Sequence, residues 1–151
     1  MPKKKQTARQ RAIANGYRSG LEEATAERYA NLGISVEYEK YCVSYEVPAR
    51  TARYTPDFVQ PNGIVIETKG RFQTKDRQKH ILIKKQFQDL DLRFVFSNPN
   101  DRISKQSNTT YADWCEENGF LYAKGTVPGE WIEEPLNERS IEALHQAGVK
   151  Q

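Results

Sequence analysis

The strongest constraint on the fold comes from residues 55–69, where two apolar runs flank the tripeptide Pro61-Asn62-Gly63. Pro-Asn-Gly suits a type I turn with proline first among the central residues and glycine in the left-handed position that follows. This is a common three-residue loop of a β-hairpin, closed by a glycine bulge. The pattern therefore predicts two antiparallel strands, at residues 54–60 and 64–69, in which Gln60 pairs with Ile64.

The register of this hairpin decides whether two carboxylates meet. With the three-residue loop, Asp57 lies directly opposite Glu67, and directly opposed side chains have Cβ atoms about 4.5–5.5 Å apart on one face of the sheet. Lys69, two residues beyond Glu67, shares that face. A two-residue Asn-Gly turn is the alternative, and it would pair Phe58 with Glu67 and separate the carboxylates.

Two opposed carboxylates beside a lysine have a characteristic chemistry. They repel each other unless a cation or a shared proton lies between them. Mg²⁺ binds one or two carboxylates and keeps several waters, while a neighbouring lysine can orient or help deprotonate a water that attacks a phosphodiester. The same residues also fit an ordinary surface hairpin with a salt bridge, so the residues alone leave both interpretations open.

The rest of the chain predicts an α/β fold with one mixed sheet between helices. Ser19 and Glu22 fit a capping box at the start of a helix that Gly33 ends. From residue 36 to residue 47 the chain is expected to be extended, with a bulge near Lys40. Further elements are expected as helices at 74–88 and 110–118, strands at 92–96 and 120–123, and helical turns and coil from residue 128.

Positive charge is concentrated in two stretches although the net charge is only +3. The first 18 residues carry six basic groups and no acid, and residues 69–105 carry ten Lys or Arg against four Asp. Such clusters can neutralise nucleic-acid phosphates, or they can be a solvated tail and a solvated helix face. The end of the chain, from Glu130 onward, is acidic.

Cysteine and histidine usage excludes several function classes. Cys42 and Cys115 are isolated, and the two histidines, His80 and His145, lie far from them in the sequence. A structural zinc site or a disulfide framework is therefore implausible, and a reducing cytoplasm is the expected compartment. No apolar run approaches the roughly 20 residues that a membrane span needs, so no membrane partner is expected.

Seven segments, spread in order over most of the chain, resemble the phage endonuclease I family of the PD-(D/E)xK nuclease superfamily. This family consists of Holliday-junction resolvases, which cut four-way DNA. The matching segments are Arg18-Ser-Gly-Leu-Glu22, Tyr54-Thr-Pro-Asp-Phe58, Pro61-Asn-Gly-Ile64, Glu67-Thr-Lys-Gly70, Lys79-His-Ile-Leu-Ile83, Val95-Phe-Ser97 and Glu130-Trp-Ile132.

The resemblance implies a restriction-endonuclease-like fold, an active site and an assembly. Asp57 and Glu67 would be the main metal ligands, the Thr68 carbonyl would add an oxygen, and Glu22 would complete a second metal site. Lys69 matches the catalytic lysine. The implied cofactor is Mg²⁺, two ions per site with Mn²⁺ able to substitute, and the implied substrate is branched DNA, especially four-way junctions. An intertwined homodimer is implied, in which Glu22 of one chain joins the other three catalytic groups of its partner.

The first helix contains two neighbouring acidic residues, Glu22 and Glu23, either of which could supply the ligand of the second metal site. With 3.6 residues per turn, Glu22 lies about 90° from the centre of the apolar face, and Glu23 lies nearly opposite that face. Only Glu22 is therefore expected to reach the sheet. Its alternative role is to accept a hydrogen bond within the capping box.

The candidate DNA contacts combine the start of the first helix with the second basic stretch. His80 on the same basic helix is expected to be packed or solvated rather than to touch a phosphate. Trp114 and Trp131 are expected to be core or packing residues rather than platforms for stacking bases. The residues assigned to DNA binding are Arg18, Ser19, Arg71, Lys75, Arg77 and Lys79.

The expected organisation is a basic N-terminal arm at residues 1–17, a nuclease domain at 18–135 and a C-terminal tail at 136–151. A metal-dependent endonuclease selective for branched DNA is the leading functional hypothesis. The alternatives are a sequence-specific or repair nuclease of the same superfamily, and a non-catalytic basic DNA-binding protein. The opposed carboxylates argue against the last, because a pure binder does not need them.

Overall fold

The structure of the chain, a computed structural model, describes residues 12–149. None of the helices in this range is long and apolar enough to cross a membrane. The elements, in chain order, are helix α1 (Gly20–Asn31), strands β1 (Glu37–Tyr38), β2 (Val43–Val47), β3 (Arg50–Tyr54), β4 (Phe58–Val59) and β5 (Ile64–Lys69), helix α2 (Thr74–Gln86), strand β6 (Asp91–Phe96), helix α3 (Tyr111–Asn118), strand β7 (Tyr122–Lys124), and helices α4 (Gly129–Glu133) and α5 (Glu138–Ala147).

A five-stranded mixed sheet in the order β1-β4-β5-β6-β7 forms the centre of the protein. Strands β1, β4 and β5 are antiparallel neighbours, whereas β5, β6 and β7 run parallel. One face packs against α1 through Tyr29, and the other packs against α2 and α3 through Ile83 and Trp114. The expected mixed sheet between helices is confirmed.

The hairpin between β4 and β5 has the three-residue loop, and the two-residue alternative is wrong. Phe58 pairs with Ile66. The Gln60 amide donates to the Ile64 carbonyl at 2.9 Å, and Gly63 has the left-handed φ of +91° that the glycine bulge requires. One residue further from the turn, the same register places Asp57 directly opposite Glu67.

The expected extended segment at residues 36–47 is not one strand. The backbone turns at Glu39, which has a φ of +46°, so β1 joins the main sheet while β2 leaves it. β2 pairs instead with β3 in a separate two-stranded sheet. Strand β3 was not predicted, because its residues are mostly polar and its turn places Ala49 at a φ of +83° without a glycine to signal it. The predicted strand at 54–60 is correspondingly reduced to β4.

The C-terminal region forms regular structure where helical turns and coil were expected. Helix α5 buries Ser140 and Leu144, and the Ser140 hydroxyl donates to the Gly63 carbonyl at 2.6 Å. The Asn62 side-chain amide donates to the Trp131 carbonyl at 2.9 Å. Residues from α4 and α5 therefore hold the turn that sets the register of the β4–β5 hairpin.

Glu134, near the end of the chain, contacts the central sheet through an ion pair with an arginine of β6. The buried Arg93 of β6 forms ion pairs with Asp91 and Glu134. Its guanidinium also lies over the Trp131 ring, 5.2 Å from the centroid. A buried arginine needs such partners, because an uncompensated buried charge is strongly destabilising.

Substituting Gly63 by Ala is expected to destabilise the protein more than the same substitution at Gly125. Both glycines have positive φ, so alanine is strained at either position. At Gly63, however, a Cβ would lie 2.8 Å from the Asn137 carbonyl oxygen, whereas at Gly125 it would meet nothing within 4 Å. We expect Gly125→Ala to cost about 1 kcal/mol and Gly63→Ala about 2–4 kcal/mol, measured by urea unfolding. Equal losses would show that α5 does not press on the turn.

Candidate active site

A polar cleft of about 380 Å³ lies where β5 ends, next to the first turn of α1 and one side of α2. The structure brings Glu22, Asp57, Glu67, Thr68 and Lys69 together here, all from one chain. The remaining lining residues are Arg18, Glu39, Arg53, Tyr54, Thr55 and Lys79.

Asp57 is held in a fixed orientation at the bottom of the cleft. Its Oδ2 accepts hydrogen bonds from the Thr68 amide at 2.9 Å and from the Thr68 hydroxyl at 2.8 Å. Burial, followed by the nearby negative charge of Glu22, raises the pKa of Asp57 to about 6, although the two bonds from Thr68 oppose the shift. Asp57 is therefore more easily protonated than an ordinary aspartate until positive charge is supplied nearby.

Glu67 lies opposite Asp57 and is also buried. The Tyr54 hydroxyl donates to its Oε2, and Lys69 Nζ lies 3.9 Å from its Oε1. Burial and then the negative charge of Asp57 raise the pKa of Glu67 well above its usual range, with Lys69 opposing. Lys69 Nζ also lies 3.4 Å from Asp76 Oδ1, so this lysine is held between two carboxylates.

Glu22 enters the cleft from the first turn of α1. Its amide donates to the Ser19 hydroxyl at 3.1 Å, which confirms the predicted N-cap. The Glu22 carboxylate accepts instead from the Arg18 amide and the Tyr38 hydroxyl, so it faces the cleft rather than closing the capping box. Glu23 does not line the cleft; it is 2% exposed and accepts a hydrogen bond from the Asn15 side chain.

Glu39 is a site residue that the sequence analysis missed. Carboxylate oxygens of Glu22, Glu39 and Asp57 all lie within 4.8 Å of one another. The turn at Glu39 brings it there, and its amide donates to the Asp57 carbonyl at 3.0 Å. The predicted bulge near Lys40 was the only sequence signal for this turn.

The ligand atoms in the cleft fit a hard divalent cation. The cluster contains carboxylate oxygens and neither cysteine nor histidine, which is the set that Mg²⁺, Mn²⁺ or Ca²⁺ prefers. A cation there would also offset the mutual repulsion of the buried acids. A structural zinc site, which takes nitrogen and sulfur ligands, does not fit.

The residues assigned to DNA binding are placed differently from one another. Arg18 and Lys79 line the cleft, and Arg71 is exposed in a neighbouring groove with Arg102 and Lys105. Lys75 is exposed on α2. These positions are compatible with phosphate contacts.

Two assigned residues have structural roles instead. The Arg77 side chain is buried, and its guanidinium donates to the Phe72 carbonyl and to the Thr74 hydroxyl, so it is not presented at the surface. Ser19 caps α1 through its hydroxyl.

His80 is a packed residue, as expected. Its Nδ1 lies 2.8 Å from the Asp76 carbonyl, and its ring packs edge-on against Tyr54 and Phe94. Burial lowers the pKa of His80 to about 3, so the imidazole is neutral at physiological pH. Trp114 is likewise buried in the core, whereas His145 is exposed.

Comparison with known proteins shows which family the chain belongs to. The sequence model of the phage endonuclease I family matches residues 3–151. The chain belongs to the phage endonuclease I family. Endonuclease I of Escherichia phage T7 is 43% identical over 134 residues, which cover 89% of this chain and 90% of the relative. Endodeoxyribonuclease 1 of Enterobacteria phage T3 is 43% identical over 135 residues, which cover 89% of each chain.

Membership of this family confirms the resemblance drawn from the seven sequence segments, and it makes the protein a nuclease. The described part of the chain supplies the cluster of acidic groups in which such an enzyme can hold a divalent metal.

Removing the Tyr54 hydroxyl is expected to weaken divalent cation binding. The hydroxyl bonds Glu67 Oε2 and so leaves Oε1 facing the cleft. Loss of a group that orients a metal ligand typically lowers metal affinity about 10–100-fold, and we expect this from Tyr54→Phe in Ca²⁺ titrations by calorimetry. Tyr29→Phe is the matched control, because it removes a buried hydroxyl that bonds Gln60 instead. Equal Ca²⁺ affinities in both variants would contradict this role for Tyr54.

Proposed function

We propose that this protein is a Mg²⁺-dependent, structure-selective endonuclease that resolves four-way (Holliday) junctions and other branched DNA by hydrolysing phosphodiester bonds. The observation that carries the proposal is the buried, opposed pair Asp57 and Glu67. Their pKa values are raised first by burial and then by a neighbouring carboxylate, Glu22 for Asp57 and Asp57 for Glu67, so a bound cation would stabilise their charged forms. DNA as the substrate is supported by the name of the T3 relative, an endodeoxyribonuclease.

The acidic groups of the cleft would hold the metal. We assign Glu22, Asp57, Glu67 and the Thr68 carbonyl to two Mg²⁺ ions, for which Mn²⁺ can substitute. When bound, such ions polarise the phosphoryl group, lower the pKa of water and neutralise the developing charge. The Thr68 amide and hydroxyl keep Asp57 in place for this task.

Lys69 is assigned to the attacking water. Its ammonium is fixed at the cleft by Glu67 and Asp76, at 3.9 and 3.4 Å. From there it can donate a hydrogen bond to a water and orient it toward phosphorus. Catalysis of this kind relies on positioning, because a well-oriented attack removes much of the entropic part of the barrier.

A homodimer is the proposed assembly, since two opposed cuts in a two-fold junction require two active sites. In one chain, the turn between β2 and β3 closes at Ala49, whose φ of +83° is strained for a residue with a side chain. Opening this turn would relieve the strain and join β2 and β3 into one strand that carries α1 to a partner. Strained hinge loops favour exchange of this type.

Chain exchange predicts a specific complementation. Glu22→Ala and Glu67→Ala are each expected to be inactive, and they are to be unfolded together and refolded as a mixture. In an exchanged heterodimer one site has every group intact and the other lacks both acids, so single-strand nicking should return. In an unexchanged dimer each site lacks one acid. Heterodimers confirmed by native mass spectrometry that remain inactive would reject exchange.

DNA binding is assigned to basic groups around the cleft, chiefly Arg18, Arg71, Lys75 and Lys79. The basic arm predicted at residues 1–17 lies largely outside the described residues. It remains part of the proposal because phosphate contacts from Lys and Arg contribute affinity without sequence preference.

The substrate class is tested by competition between two DNAs of the same sequence. The protein is incubated with a labelled four-way junction and a labelled linear duplex in one tube, with Mg²⁺ or with EDTA. We expect paired cuts in opposed strands of the junction, little cutting of the duplex, and no cutting in EDTA. Equal rates on both DNAs would reject selectivity for branches, and cutting in EDTA would reject the metal.

A further inference from the structure

A second lysine reaches the candidate active site from α2. Lys79 lines the cleft together with Glu67 and Lys69, and its side chain is half-buried. Its ammonium lies over the face of the Tyr54 ring, 5.2 Å from the centroid. The same Tyr54 bonds Glu67 through its hydroxyl, so one residue positions both a carboxylate and this lysine.

The two lysines of the cleft differ in their partners. Lys69 lies within 4 Å of two carboxylates. Within the part of the chain that the structure describes, Lys79 makes no ion pair that short. Its ammonium instead faces an aromatic ring, a contact that is attractive but leaves its hydrogen-bond donors available.

The surroundings of Lys79 would favour an incoming anion once cations offset the charge of the nearby carboxylates. Burial lowers the pKa of Lys79, while the charges of Glu67, Asp76 and Asp57 oppose this and that of Lys69 adds to it. A partly desolvated ammonium without a paired anion is costly, and a charge-assisted hydrogen bond to a phosphate oxygen would offset that cost. Once cations bind the carboxylates, Lys79 is left facing the space that the substrate must enter.

We propose that Lys79 is a second catalytic lysine, whose Nζ donates a hydrogen bond to a non-bridging oxygen of the scissile phosphate. This inference rests on the proposed nuclease function and goes beyond a general DNA contact. In the proposed step, the oxygen of the attacking water forms a bond to phosphorus as the bond to the leaving oxygen breaks. The water's proton passes to solvent, and the leaving oxygen takes up a proton from solvent. Negative charge develops on the oxygens around phosphorus, and Lys79 stabilises it there, while Lys69 acts on the water.

The test separates the cleavage rate from DNA binding. Lys79→Gln and Lys79→Arg are compared with the wild-type protein in single-turnover cleavage of a four-way junction at saturating protein, and in junction binding in EDTA. We expect Lys79→Gln to reduce the rate at saturation roughly 10²–10³-fold, the usual effect of removing one donor to a developing oxyanion. Its dissociation constant for the junction should change less than threefold, and Lys79→Arg should recover part of the rate.

Lys85→Gln is the matched control. It removes one exposed positive charge from the same helix, outside the cleft, and it should cleave at the wild-type rate. If Lys79→Gln lowers the melting temperature, Lys79→Met replaces it, because the methionine keeps an unbranched stem against Tyr54.

Three outcomes would overturn an assignment, and they are distinguishable. A Lys79→Gln variant that cleaves at the wild-type rate once saturated, with only its binding weakened, reduces Lys79 to a phosphate contact. An equal loss of rate in Lys85→Gln would attribute the effect to helix charge. A wild-type protein that cuts no DNA would overturn the proposed function itself.

Discussion

Asp57→Asn and Glu67→Gln are each expected to reduce junction cleavage about 10³-fold or more while leaving junction affinity within a few fold. The amides keep the shape of the carboxylates. The Asn oxygen can still accept the two hydrogen bonds from Thr68, and the Gln oxygen can still accept from Tyr54. What is lost is the negative charge that holds the metal, on which the chemistry depends. Binding is retained because it comes mostly from phosphate contacts.

The measurement combines single-turnover cleavage in Mg²⁺ with gel-shift titration in EDTA. Glu142→Gln serves as the control, since it neutralises one exposed carboxylate on α5, away from the cleft. It should cut at the wild-type rate. Substantial Mg²⁺-dependent cleavage by purified Asp57→Asn would exclude this aspartate from the active site.

Neutralising Asp57 is also expected to stabilise the metal-free protein at pH 7. The pKa of Asp57 is raised to about 6 in the folded state, from about 3.9 in the unfolded chain. A raised carboxyl pKa contributes stability that is fully present below pH 4 and is lost as the pH rises through 6. The loss amounts to about 3 kcal/mol at pH 7. Asp57→Asn removes this loss, so we expect its melting temperature to exceed the wild-type value by roughly 6–12 °C.

The comparison must be made between proteins at each pH, because His80 has the opposite dependence. The lowered pKa of His80, about 3, gives stability that is lost as the pH falls below 6.5 in both proteins. The advantage of Asp57→Asn in EDTA should shrink to near zero at pH 4. At pH 7, Ca²⁺ at about 100 times its dissociation constant should add about 2.7 kcal/mol to the wild-type protein and almost nothing to the variant. A wild-type protein that is the more stable of the two in EDTA at pH 7 would contradict the raised pKa of Asp57.

Local signals predicted the elements whose ends are fixed by one or two residues. The Ser19 cap and Gly33, with its left-handed φ of +69°, define α1 as expected. Gly63 sets the hairpin register in the same way. A two-residue type I′ turn would need positive φ at both Asn62 and Gly63, and of these two residues Gly63 alone has it. From that register, the meeting of Asp57 with Glu67 followed directly.

Features that depend on contacts between distant segments were not predictable in this way. Strand β3 exists because it pairs with β2, and its own residues carry no alternation. Glu39 reaches the cleft through a backbone turn that no glycine marks. Arg77 was predicted to be a DNA contact, but its guanidinium donates to the Phe72 carbonyl, a contact that the sequence pattern does not indicate.

The candidate active site shows the same division. Asp57, Glu67 and Lys69 share one hairpin face and could be placed from the sequence, whereas Lys79 and Tyr54 meet them only after α2 and β3 pack on the sheet. The position of Glu22 was predicted from helix geometry and the family resemblance together.

The central claim is that Glu22, Asp57 and Glu67 hold the divalent cation of a nuclease. It is tested most directly by anomalous diffraction from crystals soaked in Mn²⁺. The account predicts anomalous peaks inside the cleft, from Mn²⁺ ions bonded to oxygens of these carboxylates at about 2.0–2.1 Å, the distance that is typical of Mg²⁺. Crystals of Asp57→Asn should lose them. A fully occupied Mn²⁺ elsewhere on the protein, with an empty cleft in crystals of active enzyme, would contradict it.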